Sequence, residues 1–141
     1  MSMSAQAYKE YYRTSVETTT PGKLLLMLYD GAIKKIVQAR EAIEQNDIST
    51  AHTHIITVQK IMVELMTTLN MDYALSENLY ALYEYMYNQL VAANVKKDVA
   101  LLDEVEGFMV DLRNTWDQAI KSLGKESFYH ANTLKSLNIS G

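Results

Sequence analysis

Apolar residues recur at intervals of three and four along four long stretches of the chain, the period that lines one face of an α-helix. The first stripe is Leu25, Leu28, Ala32, Ile36, Ala39 and Ile43, on a helix spanning residues 21 to about 45. Thr20 before Pro21 marks its start, because the threonine oxygen can cap free amides while proline occupies the turn where a missing N–H costs nothing. Asn46 and Asp47 end this helix and cap the next. A second stripe, Ala51, Ile55, Val58, Met62, Leu65 and Leu69, predicts a helix over about 48–69, followed by a linker at 70–75. Ser76, with Glu77 just inside, is the expected cap of a third helix to about 97, striped by Leu79, Leu82, Met86, Leu90 and Ala93. Asp98 then caps a fourth, over 99–123, with the most regular stripe: Leu102, Val105, Met109, Leu112, Trp116, Ala119 and Leu123. Gly107 lies within it on the opposite side, and no stretch alternates with the period of a strand.

Four amphipathic helices joined by short turns bury their stripes most simply as an antiparallel up-down four-helix bundle, so an all-α fold is expected. Residues 20–123 make the bundle, with 1–19 as an amino-terminal arm or cap and 124–141 as a carboxy-terminal tail, both read as flexible.

Composition narrows what such a bundle does. A length of 141 residues fits one domain with a core that needs no covalent staple. The chain has no cysteine, which removes disulfides, thiolate catalysis and cysteine-liganded metal, and fits a reducing compartment. Its net charge is −4 and its densest basic spots are the pairs Lys34 with Lys35 and Lys96 with Lys97, so no nucleic-acid partner is expected. The longest apolar run, residues 24–29, falls far short of the ~20 residues of a spanning helix, and no secretory signal is visible at the start. The expectation is a cytoplasmic protein without membrane insertion.

Candidate chemistry is sparse. His52 and His54 lie two apart on a helix and point roughly 200° from one another, so they cannot share a metal. None of His52, His54 and His130 has a glutamate three positions before it, as the motifs of di-iron bundles require. The carboxylate pairs Glu104 with Glu106 and Glu41 with Glu44 sit off the core stripes, and no base stands near the hydroxyls of Thr18, Thr19 and Thr20. No catalytic residue, metal site or cofactor is expected, and the chain reads as a non-enzyme.

Apolar surface beside the stripes is in excess. Tyr80, Tyr83, Tyr87 and Val91 line one flank of the third helix, and Ile56 and Val63 repeat this on the second, as Leu26, Ile33 and Val37 do on the first. These flanks are either a wide core or grooves for a partner's apolar helix. Tyrosine favours the grooves: of the 10 in the chain, Tyr80, Tyr83, Tyr85 and Tyr87 cluster on one helix, and a phenol combines an apolar face with a hydroxyl content in water. Methionines such as Met62, Met66, Met71 and Met86 add adaptable packing. A helical adaptor that pairs with itself or with a folded helical partner would use the same flanks.

Three segments carry a resemblance to a known family: TPGKLLLMLYDGA at 20–32, LYEYMYNQLVAANVKKD at 82–98 and EVEGFMVDLRNTW at 104–116. In this order and spacing the chain resembles the bacterial flagellin export chaperones of the FliS type, over about residues 8–120. The resemblance implies a cytoplasmic, non-enzymatic four-helix chaperone that holds the disordered carboxy-terminal segment of flagellin, stops it polymerising and helps deliver it to the type III export apparatus. It also implies contact with an export-gate membrane protein when client-loaded, and with flagellar regulatory proteins. In that family an amino-terminal segment covers an apolar patch in the free form. Here the segment carries Tyr8, Tyr11 and Tyr12, of which Tyr8 matches the family's tyrosine implicated in gate and regulator contacts. The client groove is expected at Ile56, Val63, Tyr80, Tyr83, Tyr87 and Val91. The tail segment YHANTLKSLNI at 129–139 broadly resembles flagellin endings and is a candidate visitor to that groove.

Overall fold

A computed structural model describes residues 21–123, which form four helices: α1 (Pro21–Glu44), α2 (Ile48–Thr67), α3 (Ala74–Lys96) and α4 (Val99–Leu123). The connections at 45–47, 68–73 and 97–98 are short enough to force sequential helices side by side and antiparallel. Helix α1 packs against α2 and α4, and α3 packs against the same two, giving a four-cornered bundle. Ion pairs confirm the register of α1 against α4: Asp30 meets Arg113 at 2.9 Å, while Arg40, ten residues further along α1, meets Asp103 at 2.9 Å and also Glu106. The partner number falls as the α1 number rises, as antiparallel helices demand.

The caps form largely where local chemistry places them. Asn46 turns the chain with a positive φ of 60°, which asparagine tolerates, and the Asp47 carboxylate accepts from the Thr50 amide at 3.2 Å. Hydrogen bonds from Thr50 hold that carboxyl below its usual range. At the α3–α4 corner Lys97 takes the left-handed conformation, and the Asp98 carboxylate accepts from the Ala100 amide at 2.9 Å. The start of α3 departs from expectation. The helix begins two residues before Ser76, after an extended Tyr73 that caps without a side-chain bond. Ser76 is buried and its hydroxyl has no partner among the described residues, so its side chain faces the core instead of capping amides. Helix α2 ends at Thr67, and Leu69 still packs into the core from the turn. Thr20, the arm and the tail lie outside the described residues.

The core corrects two of the stripes in the same way. In α1 the buried line is Leu25, Tyr29, Ala32, Ile36, Ala39 and Ala42, with Leu28 and Ile43 only partly buried beside it. In α3 it is Leu79, Tyr83, Met86, Leu90 and Ala93, with Leu82 displaced to the margin. A tyrosine takes the inward position in each helix and its leucine neighbour is turned aside. The reason is a hydrogen bond across the bundle diagonal: the Tyr29 and Tyr83 hydroxyls are 2.5 Å apart, and the Trp116 indole N–H of α4 donates to Tyr29 at 3.1 Å. Both phenols have 0% exposure, so each can occupy the centre only with such a partner.

Burial pushes the Tyr29 hydroxyl up to about 12 and raises Tyr83 as well. In the unfolded chain a tyrosine ionises near 10. The neutral phenol therefore carries no penalty below that pH, but between about 10 and 12 the unfolded chain gains charge that the core cannot accept. Urea midpoints are expected to stay level through neutral pH and to drop steeply above pH 10, less so in a Tyr29→Phe, Tyr83→Phe double variant. The single change Tyr83→Phe, which leaves Tyr29 one partner short, is expected to cost about 1–2 kcal/mol at neutral pH. Gly107 is exposed on α4 and a Cβ there would meet nothing within 4 Å. Gly107→Ala should accordingly raise stability by about 0.5–1 kcal/mol, read from the same urea curves.

Candidate functional site

The sides of the bundle are closed by different chemistry. Between α1 and α4 lie the Arg40 and Arg113 ion pairs described above. Between α3 and α4, Tyr85 donates to Glu104 and Gln89 donates to the other oxygen of the same carboxylate, each at 2.8 Å. These bonds, Gln89's first, hold Glu104 below its ordinary carboxylate range. The Tyr85 ring also meets Phe108 edge to face, with centroids 6.2 Å apart. Between α1 and α2 the chains approach closely enough that a Cβ added at Gly31 would lie 3.9 Å from Ile61.

The α2–α3 seam is different. A hydrogen bond of 2.9 Å between Asn94 and His52 ties the helices near one end, and Lys97 donates to the Asn94 side chain at 2.8 Å. Farther along, the helices leave a groove of about 330 Å³ lined by Ile56, Gln59, Lys60 and Val63 from α2 and Tyr87 from α3. Seven residues separate Ile56 from Val63, so this wall is about 10 Å long.

Exposed apolar side chains point to the same seam. Among the described residues the large ones left exposed are Ile48, Val63, Met71, Tyr80, Tyr85, Val91 and Val95, all on α2, α3 or the turn between them. Tyr85 is engaged by α4. Tyr80, Val91 and Val95 are placed seven before, four after and eight after Tyr87, so they extend its flank beyond the groove in both directions. One side of the molecule thus offers an apolar track and the opposite side offers paired charges.

The residues expected at this site separate into groups. Ile56, Val63 and Tyr87 come together in the groove. Tyr80 and Val91 are exposed, at 39% and 38%, on the same helix but do not line it. Tyr83 does not belong to a surface groove: it is in the core, bonded to Tyr29, and the inward turn of its hydroxyl toward a partner explains why the flank loses it. Tyr8, Tyr11 and Tyr12 lie outside the described residues. Gln59 and Lys60 were not anticipated, although their places between Ile56 and Val63, at spacings of three and four, put them on the same helix face. No cluster of three or more metal-ligating side chains occurs among the described residues, and no helix there is long and apolar enough to cross a membrane.

The fold is that of the all-α four-helix bundles, here with its exposed large apolar residues, among the described residues, on α2, α3 and their connecting turn. Residues 4–123 match the family described as flagellar protein FliS. The chain is 46% identical over 119 residues to the flagellar secretion chaperone FliS of Bacillus subtilis (strain 168), covering 84% of this chain and 90% of that one. It is 32% identical over 118 residues to the flagellar secretion chaperone FliS of Vibrio cholerae, covering 82% and 87% of the two chains. A solved structure described as a flagellar chaperone from bacteria has the same fold, with a TM-score of 0.69 at 22% identity over 83% of this chain and 97% of that one. The chain belongs to the FliS family of flagellar secretion chaperones, which is not a family of enzymes.

Core and surface tyrosines should separate in thermal and urea unfolding. Tyr83→Ala is expected to cost about 3–5 kcal/mol, as aromatic truncation in a core does. Tyr80→Ala and Val91→Ala are expected to shift stability by no more than about 0.5 kcal/mol.

Proposed function

We propose that this chain binds the carboxy-terminal segment of flagellin along the α2–α3 seam in the cytoplasm, keeps it from polymerising, and brings it to the flagellar type III export apparatus. The observation that carries this reading is the confinement, among the described residues, of exposed large apolar residues to α2, α3 and their connecting turn. A client that later packs into a filament must be apolar on one face, and that face aggregates unless something covers it. The groove at Ile56, Val63 and Tyr87 offers such cover, and Tyr80 and Val91 lengthen it along α3. An amphipathic segment laid on this track would bury its apolar side against aromatic and branched side chains and leave its polar side in water.

Membership of a secretion-chaperone family supports the rest of the reading. The arm bearing Tyr8, Tyr11 and Tyr12 is the proposed contact for an export-gate membrane protein once client is bound, and for flagellar regulatory proteins.

Titration calorimetry against the carboxy-terminal segment of its own organism's flagellin tests the proposal. Expected are one-to-one binding, gained helicity by circular dichroism and a negative heat-capacity change from apolar burial. Val63→Asp, at a residue already 44% exposed, should leave the melting temperature nearly unchanged while weakening binding at least about tenfold. Absence of binding by the folded bundle, together with a stable dimer in light scattering, would instead establish the self-pairing adaptor.

A further inference from the structure

The walls of the α2–α3 groove are apolar, but one group lining it is a buried amide. Gln59 is 9% exposed, lines the groove, and its Oε1 is buried and accepts no hydrogen bond among the described residues. A desolvated carbonyl without a donor is a standing cost to the fold. Leucine or methionine at this position would avoid that cost and suit the neighbouring Ile56 and Val63. The terminal torsion of glutamine is broad and two-fold, so a half-turn presents either the oxygen or the NH2 group to the groove.

We infer that Gln59 sets the register of the bound segment by pairing its side-chain amide with a carboxamide of the client, an asparagine or glutamine set within the client's apolar face. A carboxamide offers a donor and an acceptor in one plane and satisfies both ends of the Gln59 amide, whereas a hydroxyl brings only one proton. A lysine or arginine would have to shed its water in an apolar groove beside Lys60, which is exposed and makes no ion pair among the described residues. The same Lys60 favours a carboxylate at the margin of the client's apolar face. Gln59 lies three residues after Ile56 and four before Val63, so the carboxamide falls about one turn from the client residues that meet those two side chains. The occupant is therefore a helical segment with apolar positions one turn either side of an Asn or Gln, and an Asp or Glu at its edge.

This inference rests on the flagellin-binding reading, and a double-mutant cycle tests both while keeping them distinct. Gln59→Leu and Gln59→Met, in the full chain, are titrated against the carboxy-terminal flagellin segment and against versions with each Asn or Gln replaced in turn by leucine. Both variants remove an unpartnered polar atom, so their melting temperatures should equal or exceed that of the unaltered chain. Expected is a loss of affinity of about 5- to 20-fold for Gln59→Leu, with one client carboxamide whose replacement costs as much alone and nothing further in that background. Unchanged or tighter binding by both variants, or the lack of any client position coupled to Gln59, overturns the pairing. If Val63→Asp still weakens binding in that case, the groove stands and only the pairing falls. If Val63→Asp also binds normally, the groove assignment falls with it.

Discussion

The bundle is organised around a hydroxyl pair that no single helix can satisfy. Tyr29 on α1 and Tyr83 on α3 meet across the diagonal, and Trp116 on α4 completes the contact by donating to Tyr29. Phenols at the centre of a helical core are tolerated only if their hydroxyls are bonded, and here the partners come from three of the four helices. A slide of α3 by one residue would put Tyr83 at the surface and Leu82 inside, and would leave Tyr29 short of a partner. The same slide would carry Asn78 and Gln89 into the buried places of Leu79 and Leu90, so the apolar stripe and the hydroxyls demand the same register.

That choice of register decides which side chains remain outside. With Tyr83 drawn inward, Tyr87 is the tyrosine of α3 that reaches the α2 seam, where it faces Ile56 and Val63. The other sides are occupied by groups that suit each other. Arg40 and Arg113 are matched by carboxylates between α1 and α4, and Glu104 collects the hydroxyl of Tyr85 and the amide of Gln89 between α3 and α4. Exposed ion pairs of this sort contribute little stability, but they leave no apolar surface where they sit. An apolar seam on one side and paired charges on the opposite side follow from the same distribution.

Much of this was legible in the chain. Four helices, their order, the Asp47 and Asp98 caps and the antiparallel arrangement follow from spacing and short connections, all of them local features. The resemblance carried by residues 20–32, 82–98 and 104–116 agreed with the family to which the chain belongs. Half of the expected groove also came together, because Ile56, Val63 and Tyr87 lie on flanks that a helical wheel locates. The errors were local rules overridden by distant contacts: Ser76 reads as a cap but is buried in the first turn, and Leu28 and Leu82 read as core but lie at its margin.

The amino-acid sequence by itself determined which stretches are helical and roughly which face of each is apolar, since both depend on residues within a turn or two of one another. Only the tertiary structure decided between a leucine and the tyrosine next to it as the inward residue. The two hydroxyls that settle that choice are 54 positions apart, and burying them is tolerated because each bonds the other and the Trp116 N–H adds a donor from a third helix. The same holds for the groove. That Gln59 lines it with no partner for its carbonyl among the described residues is a property of the packed α2–α3 seam, not of any spacing along the chain.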